Sequence, residues 1–128
     1  MTDLTIDVLF LVLLLQVKHV FADFFLQGPY IINNRRFYGH PGGLLHVAIH
    51  LVGSLVVLLV MGTPLALMGW LLLAEGVFHY HVDWLKDNFN LRFQLTPRDP
   101  LYWQAMGVDQ GLHQATYLAM ALAWYLWK

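Results

Sequence analysis

The chain has 128 residues, of which 59% are hydrophobic, 15% aromatic and 12% charged, and it contains no cysteine. Soluble domains are about 45–50% apolar and about 25% charged, so this composition excludes an ordinary soluble domain as well as a disordered chain. The lack of cysteine excludes a disulfide framework and a thiolate metal site, and the net charge of −1 leaves no cationic surplus for nucleic acid. We therefore interpret the chain as a small integral membrane protein, in which seven histidines are unusual.

Four apolar stretches follow one another along the chain, and each is close to the ~20 residues that a helix needs to cross ~30 Å of hydrocarbon. They cover about residues 4–26, 44–61, 65–85 and 106–127. The start of the chain carries Asp3 and Asp7 in place of a basic region, so we expect a retained helix and not a cleaved signal peptide. The pattern predicts one all-α domain over residues 1–128, an integral membrane four-helix bundle.

The third connection carries two further signals. Asp99 followed by Pro100 is typical of a helix N-cap and first helical position, so the last helix is expected to begin near Pro100. Within residues 88–95, apolar residues alternate with polar ones, which predicts a short extended segment on the membrane surface.

Basic residues fall almost entirely at one end of the predicted bundle. Four spans put both termini on one side and the connections 27–43 and 86–105 on the other. The second side receives six basic residues, namely Lys18, Arg35, Arg36, Lys86, Arg92 and Arg98. The first side receives only Lys128. The positive-inside rule therefore predicts cytoplasmic connections and external termini.

Ionisable residues recur in pairs four positions apart near the same end of every predicted helix. This spacing puts both side chains of a pair on one helix face. The pairs are His19 with Asp23, His46 with His50, His79 with Asp83, and Asp109 with His113, and Glu75 precedes His79 by one turn. Because alternate helices run in opposite directions, all four pairs fall at one depth, which predicts an intramembrane His/carboxylate cluster.

Buried carboxylates and imidazoles are costly unless they bind cations or one another. Histidine and carboxylate ligands suit zinc, iron or manganese, and helix-borne sites in bundle cores use this spacing. We therefore predict one or two divalent metal ions, held by His19, Asp23, His46, His50, His79, Asp83, Asp109 and His113. The number of candidates favours a dinuclear centre. The alternative is that the pairs are satisfied polar contacts between helices.

Two further residues are candidates for catalysis. Glu75 would act as a ligand or as the general base, and Lys86, on the same face as His79, would neutralise a substrate anion. Lys86 has the alternative of a lysine extending towards the interface. Gln27 and Gln110 are candidate hydrogen-bond donors to the ligands, whereas His40 and His81 are expected to lie outside the cluster.

These motifs resemble those of a small bacterial membrane family, the domain of unknown function 3307 family. The resemblance rests on four strings that together cover almost the whole chain. They are His19-x-x-x-Asp23-Phe24-x-Leu26-Gln27, His46-x-x-x-His50, His79-x-x-x-Asp83-x-x-Lys86 and Asp109-Gln110-x-x-His113. The resemblance implies a multipass protein of the bacterial inner membrane with a shared set of histidines and aspartates, and it implies no activity.

The chemistry of these residues favours a membrane-embedded, metal-dependent hydrolase acting on a lipid-borne or amphipathic substrate. The expected partners are membrane lipid and that substrate, and the small residues Gly111, Ala115, Ala119 and Ala123 are a candidate face for a homo-oligomer. The alternatives are a metal-ion or proton transport protein, a di-iron oxidase or desaturase, a b-type haem protein, and a purely structural role.

Overall fold

Four long helices and one short helix make up most of the chain. The computed structural model describes residues 3–128, so Met1 and Thr2 of the predicted domain lie outside the described residues. The elements are α1 (Asp3–Val20), which continues into a π-helical turn (Phe21–Phe25), α2 (Pro29–Asn34), α3 (Pro41–Val60), α4 (Leu65–Arg92) and α5 (Pro100–Trp127). No strand occurs among the described residues.

Local sequence explains where these helices begin. The side chain of His40 accepts a hydrogen bond from the backbone N–H of Gly42, and Pro41 occupies the first position of α3. Gly62 has a φ of 62° in the turn between α3 and α4, a backbone conformation that glycine adopts without strain. Helix α5 begins at Pro100, as the sequence predicts.

Asp99 acts in the turn before α5 and not as a side-chain cap. Its Oδ2 accepts hydrogen bonds from the backbone N–H and the hydroxyl of Thr96, at 2.7 and 2.9 Å. These hydrogen bonds hold the pKa of the Asp99 carboxyl below its usual value, because they stabilise the charged form.

The four long helices form a square. Helix α1 packs against α3 and α5, and α4 packs against the same two helices, so that α1 and α4 lie on a diagonal. Trp124 near the end of α5 donates to Thr63 in the turn before α4, at 2.9 Å, and Asp23 after α1 contacts His50 in the first half of α3. Consecutive long helices therefore run in opposite directions. The prediction of an all-α four-helix bundle is confirmed.

One half of the bundle has an apolar core, and the other half is polar inside. Leu11, Leu15, Leu58 and Trp124 are at most 1% exposed and belong to one apolar cluster that ends near the α3–α4 turn. Seven of the eight predicted ligands are buried at the opposite end, beyond this core, and Asp23 is partly buried there.

Three helices are long and apolar enough to cross a membrane: Asp3–Phe25, Pro41–Val60 and Leu65–Arg92. Helix α5 has 28 residues and is long enough, but it is not among these apolar helices. Polar side chains interrupt its first half, such as Asp109, Gln110, His113 and Gln114. A membrane span by α5 therefore stays a prediction.

The two predicted cytoplasmic connections are shorter than the sequence analysis expected. Residues 86–92 are helical and α5 begins at Pro100, so only residues 93–99 of the predicted loop 86–105 are not helical. The predicted loop 27–43 contains α2 and the first residues of α3.

The extended segment predicted for residues 88–95 is wrong, since α4 continues to Arg92. Phe89 and Phe93 are four positions apart, and their ring centroids lie 4.8 Å from each other. The Asn88 amide donates to the backbone carbonyl of Trp84, also four positions away. The apparent alternation in this segment therefore also satisfies helical spacing.

Candidate metal centre

Five histidine rings converge between the four long helices. Each is at most 3% exposed, and each directs its Nε2 atom towards the carboxylates of Asp23 or Asp83 or both; they are His19, His46, His50, His79 and His113. The cluster predicted from the sequence is therefore present, at one level of the bundle.

The first group of potential ligands surrounds Asp23. Asp23 Oδ1 lies 2.8 Å from His50 Nε2 and 3.4 Å from His46 Nε2. His46 Nε2 is in turn 3.3 Å from His79 Nε2. One ligand atom from each of these four residues lies within 4.8 Å of the others, so a single ion has room between them.

The second group surrounds Asp83. Its Oδ2 lies 3.1 Å from His79 Nε2, and its Oδ1 lies 3.1 Å from His113 Nε2. His46 connects the two groups, because its Nε2 is also 3.0 Å from Asp83 Oδ2. Helices α3, α4 and α5 thus bring ligand atoms to this group.

The π-helical turn of α1 carries Asp23, the carboxylate at the centre of the first group. The backbone N–H of Leu26 donates to the carbonyl of Phe21, five positions earlier, at 2.9 Å. Such single π-helical turns are rare and frequently occur at functional sites, because they change the direction of the side chains that they carry.

The contacts around His46 and His79 also have the spacing of the ligands of a metal site. Asp83 Oδ2 is buried and lies close to the Nε2 atoms of His46 and His79, yet neither contact forms a hydrogen bond. A metal–ligand distance of about 2.0–2.2 Å in a tetrahedron puts neighbouring ligand atoms roughly 3.3–3.6 Å apart. The spacings around His46 and His79, from 3.0 to 3.4 Å, are within a few tenths of this value.

His79 belongs to both groups, and this limits the number of ligands at each ion. One Nε2 lone pair binds one ion, so the six residues can form one four-ligand site or two three-ligand sites. In the second case, Asp23, His46 and His50 would hold one ion, while His79, Asp83 and His113 would hold the other.

His19 lies beside these groups, with both ring nitrogens engaged by neighbours. The Gln110 amide nitrogen faces carboxylate oxygens of Asp23 and Asp109, at 3.2 and 3.3 Å, so it must be the donor there. The Gln110 carbonyl oxygen consequently faces His19 Nε2, at 2.8 Å, and requires that nitrogen to carry a proton. Tyr117 contacts the other ring nitrogen at 2.9 Å.

Asp109 and Lys86 lie at the edge of the cluster. Asp109 Oδ1 is 3.3 Å from His113 Nε2, and its Oδ2 is 3.9 Å from the Lys86 ammonium. Lys86 also pairs with Asp87, at 3.1 Å. Lys86 is therefore buried beside the candidate ligands and does not extend freely towards the interface.

Glu75 has a partner that sequence analysis did not identify. The ammonium group of Lys18 lies 2.5 Å from Glu75 Oε1 and 3.3 Å from the His50 carbonyl, and the two charged side chains are 8% and 1% exposed. A Cβ atom on Gly53 would lie 3.3 Å from Lys18 Cδ, so glycine leaves room for this side chain. The sequence offered one signal for this ion pair, because Lys18 lies within a predicted span and Glu75 is expected near the same depth.

Arg35 and Gln27 brace the cluster from the α1–α3 connection. Two guanidinium nitrogens of Arg35 donate to the Asp87 carboxylate, and a third donates to the Gln27 carbonyl oxygen. Burial alone would lower the pKa of Arg35, but the carboxylates of Asp83 and Asp87 raise it above the usual value. Gln27 donates to the backbone carbonyl of Asp23 and not to a ligand side chain.

The two remaining histidines lie outside the cluster. His81 is partly buried and contacts the hydroxyl of Tyr38 and the carbonyl of Val77. His40 accepts a backbone hydrogen bond at the start of α3. Sequence analysis expected neither to be a ligand.

The fold and the site define an all-helical protein with membrane-compatible helices and a buried His/Asp cluster that could hold a metal ion. Residues 9–127 match the model of the family described as protein of unknown function (DUF3307), and the chain belongs to this family. No curated protein and no solved structure matches the chain.

Proposed function

We propose that this protein is a membrane-embedded metalloprotein that holds one or two divalent ions at one end of its helical bundle. The observation that carries the proposal is the convergence of four histidines and two aspartates in two groups whose ligand atoms lie within 4.8 Å of one another, with Asp83 Oδ2 buried and without a hydrogen-bond partner. The proposed ligands are Asp23, His46, His50, His79, Asp83 and His113. Histidine nitrogen and carboxylate oxygen are ligands that suit zinc, iron and manganese.

We further propose that the metal centre hydrolyses a lipid-borne or amphipathic substrate. A divalent ion with such ligands supplies a water molecule of lowered pKa and polarises the bond to be broken. Lys86, at the edge of the cluster, would orient an anionic group of the substrate. Glu75 would act on the cluster through Lys18 and His50, because Lys18 contacts both residues.

Metal content tests the first proposal. We expect protein purified in detergent without chelator to contain about one or two ions per chain by elemental analysis. His79→Ala should lose most of this metal, whereas His81→Ala, on the same helix but outside the cluster, should retain it. Wild-type protein with less than about 0.3 ion per chain, and no gain on incubation with zinc, iron or manganese, would contradict the proposal.

Transport is the second candidate, and the apolar half of the bundle argues against it. Leu11, Leu15 and Leu58 are fully buried in the half that a path across the bundle would have to cross. Ion flux in proteoliposomes that His50→Ala abolishes would favour transport over hydrolysis.

A haem bound between these histidines is disfavoured by their spacing. The ring centroids of His50 and His79 are 3.9 Å apart, and those of His79 and His113 are 4.0 Å apart. Rings in direct contact leave no room for a porphyrin between them, whereas a di-iron centre with the same ligands remains compatible with the geometry.

A further inference from the structure

An open groove runs along the outer side of the bundle between α4 and α5. It has a volume of about 670 Å³, in the range of sites that bind small organic ligands. Its walls are mainly apolar and include Leu85, Phe89, Leu101, Val108 and Leu112. Leu85 and Val108 are 59% and 64% exposed, so the groove is accessible from the side that faces lipid in the proposed membrane arrangement.

The groove reaches the edge of the candidate metal centre. Lys86 and Asp109 line it together with the apolar side chains, and Asp109 contacts the proposed ligand His113. A second cavity, of about 780 Å³, lies towards the connections 27–40 and 93–99 and has a more polar lining. Lys86 lines both spaces, so the polar cavity and the apolar groove adjoin at this side chain, beside the cluster.

The charge around these two spaces is cationic. Four cations line them, Arg35, Arg36, Lys86 and Arg92, against the two carboxylates of Asp87 and Asp109. Arg35 and Lys86 are paired with Asp87. Arg36 and Arg92 form no ion pair within residues 3–128, so both remain available to an anionic ligand.

We propose that this site binds a membrane lipid with a phosphate head group. The hydrocarbon chain would occupy the groove between α4 and α5, and the phosphate would contact Lys86, Arg36 and Arg92 in front of the metal centre. An apolar groove that adjoins a cationic cavity matches such a lipid in both polarity and charge. The inference rests on the proposed function, for which it names the class of substrate.

Binding of labelled phosphatidic acid to immobilised protein in an uncharged detergent tests the proposal. We expect saturable binding that is at least about tenfold tighter than binding of diacylglycerol with the same chains, because the cations interact only with a phosphate. Inorganic phosphate should not displace the lipid, since it cannot fill the groove. Equal binding of phosphatidic acid and diacylglycerol, or displacement by inorganic phosphate at the concentration of the lipid, would overturn the proposal.

Matched variants locate the binding. Replacing both Arg36 and Arg92 by glutamine should weaken phosphatidic acid about tenfold, whereas Arg98→Gln should not, because Arg98 lines neither space. Leu85→Trp should weaken binding by narrowing the groove, whereas Leu73→Trp, on the same helix and 57% exposed, should not. Unchanged affinity in both the arginine and the Leu85 variants would contradict the site.

Metal analysis of the same samples separates the two proposals. Metal-free protein that still binds phosphatidic acid would refute the metal centre and leave the lipid site intact. Metal-loaded protein that does not bind the lipid would refute the lipid site alone.

Discussion

At the scale of single residues, the site depends on the orientation of side chains that surround the ligands. Gln110 determines which ring nitrogen of His19 carries a proton. Its amide nitrogen faces two carboxylates, so its oxygen faces Nε2 of the imidazole and accepts a hydrogen bond from it. The spacing of His19 and Asp23 predicted that they share a helix face, and the structure places them 3.2 Å apart. It could not predict that Gln110 would occupy the nitrogen of His19 that faces the cluster.

Gln110→Ala should therefore weaken metal binding about 10–100-fold, the usual effect of removing a hydrogen-bond partner of the ligands. The reason is that Asp23 loses a donor and His19 becomes free to turn. A competition titration against a chelator measures the affinity. Gln114→Ala, an exposed glutamine on the same helix, should leave it unchanged, and equal effects of the two variants would contradict this role of Gln110.

The buried Lys18–Glu75 pair makes a second prediction at this scale. Lys18→Met leaves the carboxylate of Glu75 buried without its cation, which typically costs about 3–5 kcal/mol. We expect a clear fall in the thermal unfolding temperature in detergent. The double variant with Glu75→Leu should recover most of this loss, because no unpaired charge remains. A double variant as unstable as Lys18→Met would show that the ion pair is not the cause.

At the scale of elements, the helices were predictable and their ends were less so. Apolar stretches of about 20 residues predicted all four long helices, because a helix of that length satisfies its own backbone. The continuation of α4 to Arg92 was missed, because alternating and helical spacing coincide at Phe89 and Phe93. The π-helical turn at Phe21–Phe25 has no signature in the sequence that we recognise.

The short helix α2 supports the site through its tight packing on α3. A Cβ atom at Gly42 would lie 2.8 Å from Asn34 Cβ and 3.2 Å from the carbonyl of Tyr30, so α2 could not keep its position. Gly42→Ala should therefore destabilise the protein by about 1–3 kcal/mol, as overpacking does.

Gly69 is the matched control for this prediction. It lies in α4 with no atom within 4 Å of an added Cβ, so Gly69→Ala should be neutral or stabilising by up to about 1 kcal/mol. Thermal unfolding of the two variants in the same detergent measures the difference. A Gly42→Ala protein as stable as the Gly69→Ala protein would contradict the close packing of α2 on α3.

At the scale of the whole molecule, the square of helices fixes which ends lie together. The α3–α4 turn and the end of α5 share one end, since Trp124 contacts Thr63 there. The predicted orientation relied on six basic residues at the other end. Lys18, Arg35 and Lys86 among them are ion-paired with carboxylates, so their contribution to orientation is smaller than the sequence suggested.

Single-cysteine labelling tests the membrane arrangement, and the native chain offers no competing thiol. If α5 spans the membrane, cysteines at Leu65 and Lys128 should react with an impermeant reagent added from one side. A cysteine at Thr96 should react only from the other side, which the positive-inside rule makes cytoplasmic. Labelling of Thr96 and Lys128 from the same side would show that α5 does not cross.

The sequence by itself predicted an all-α bundle, its four long helices and the depth at which the ionisable residues gather. It did so because hydropathy and helical period are visible along the chain itself. Short connections between long helices then make consecutive helices run in opposite directions. Only the tertiary structure decided which side chains meet: His79 between two aspartates, Gln110 against His19, and Lys18 diagonally across the bundle on Glu75. These contacts depend on the rotation of each helix about its axis, which packing between helices sets and no local pattern encodes.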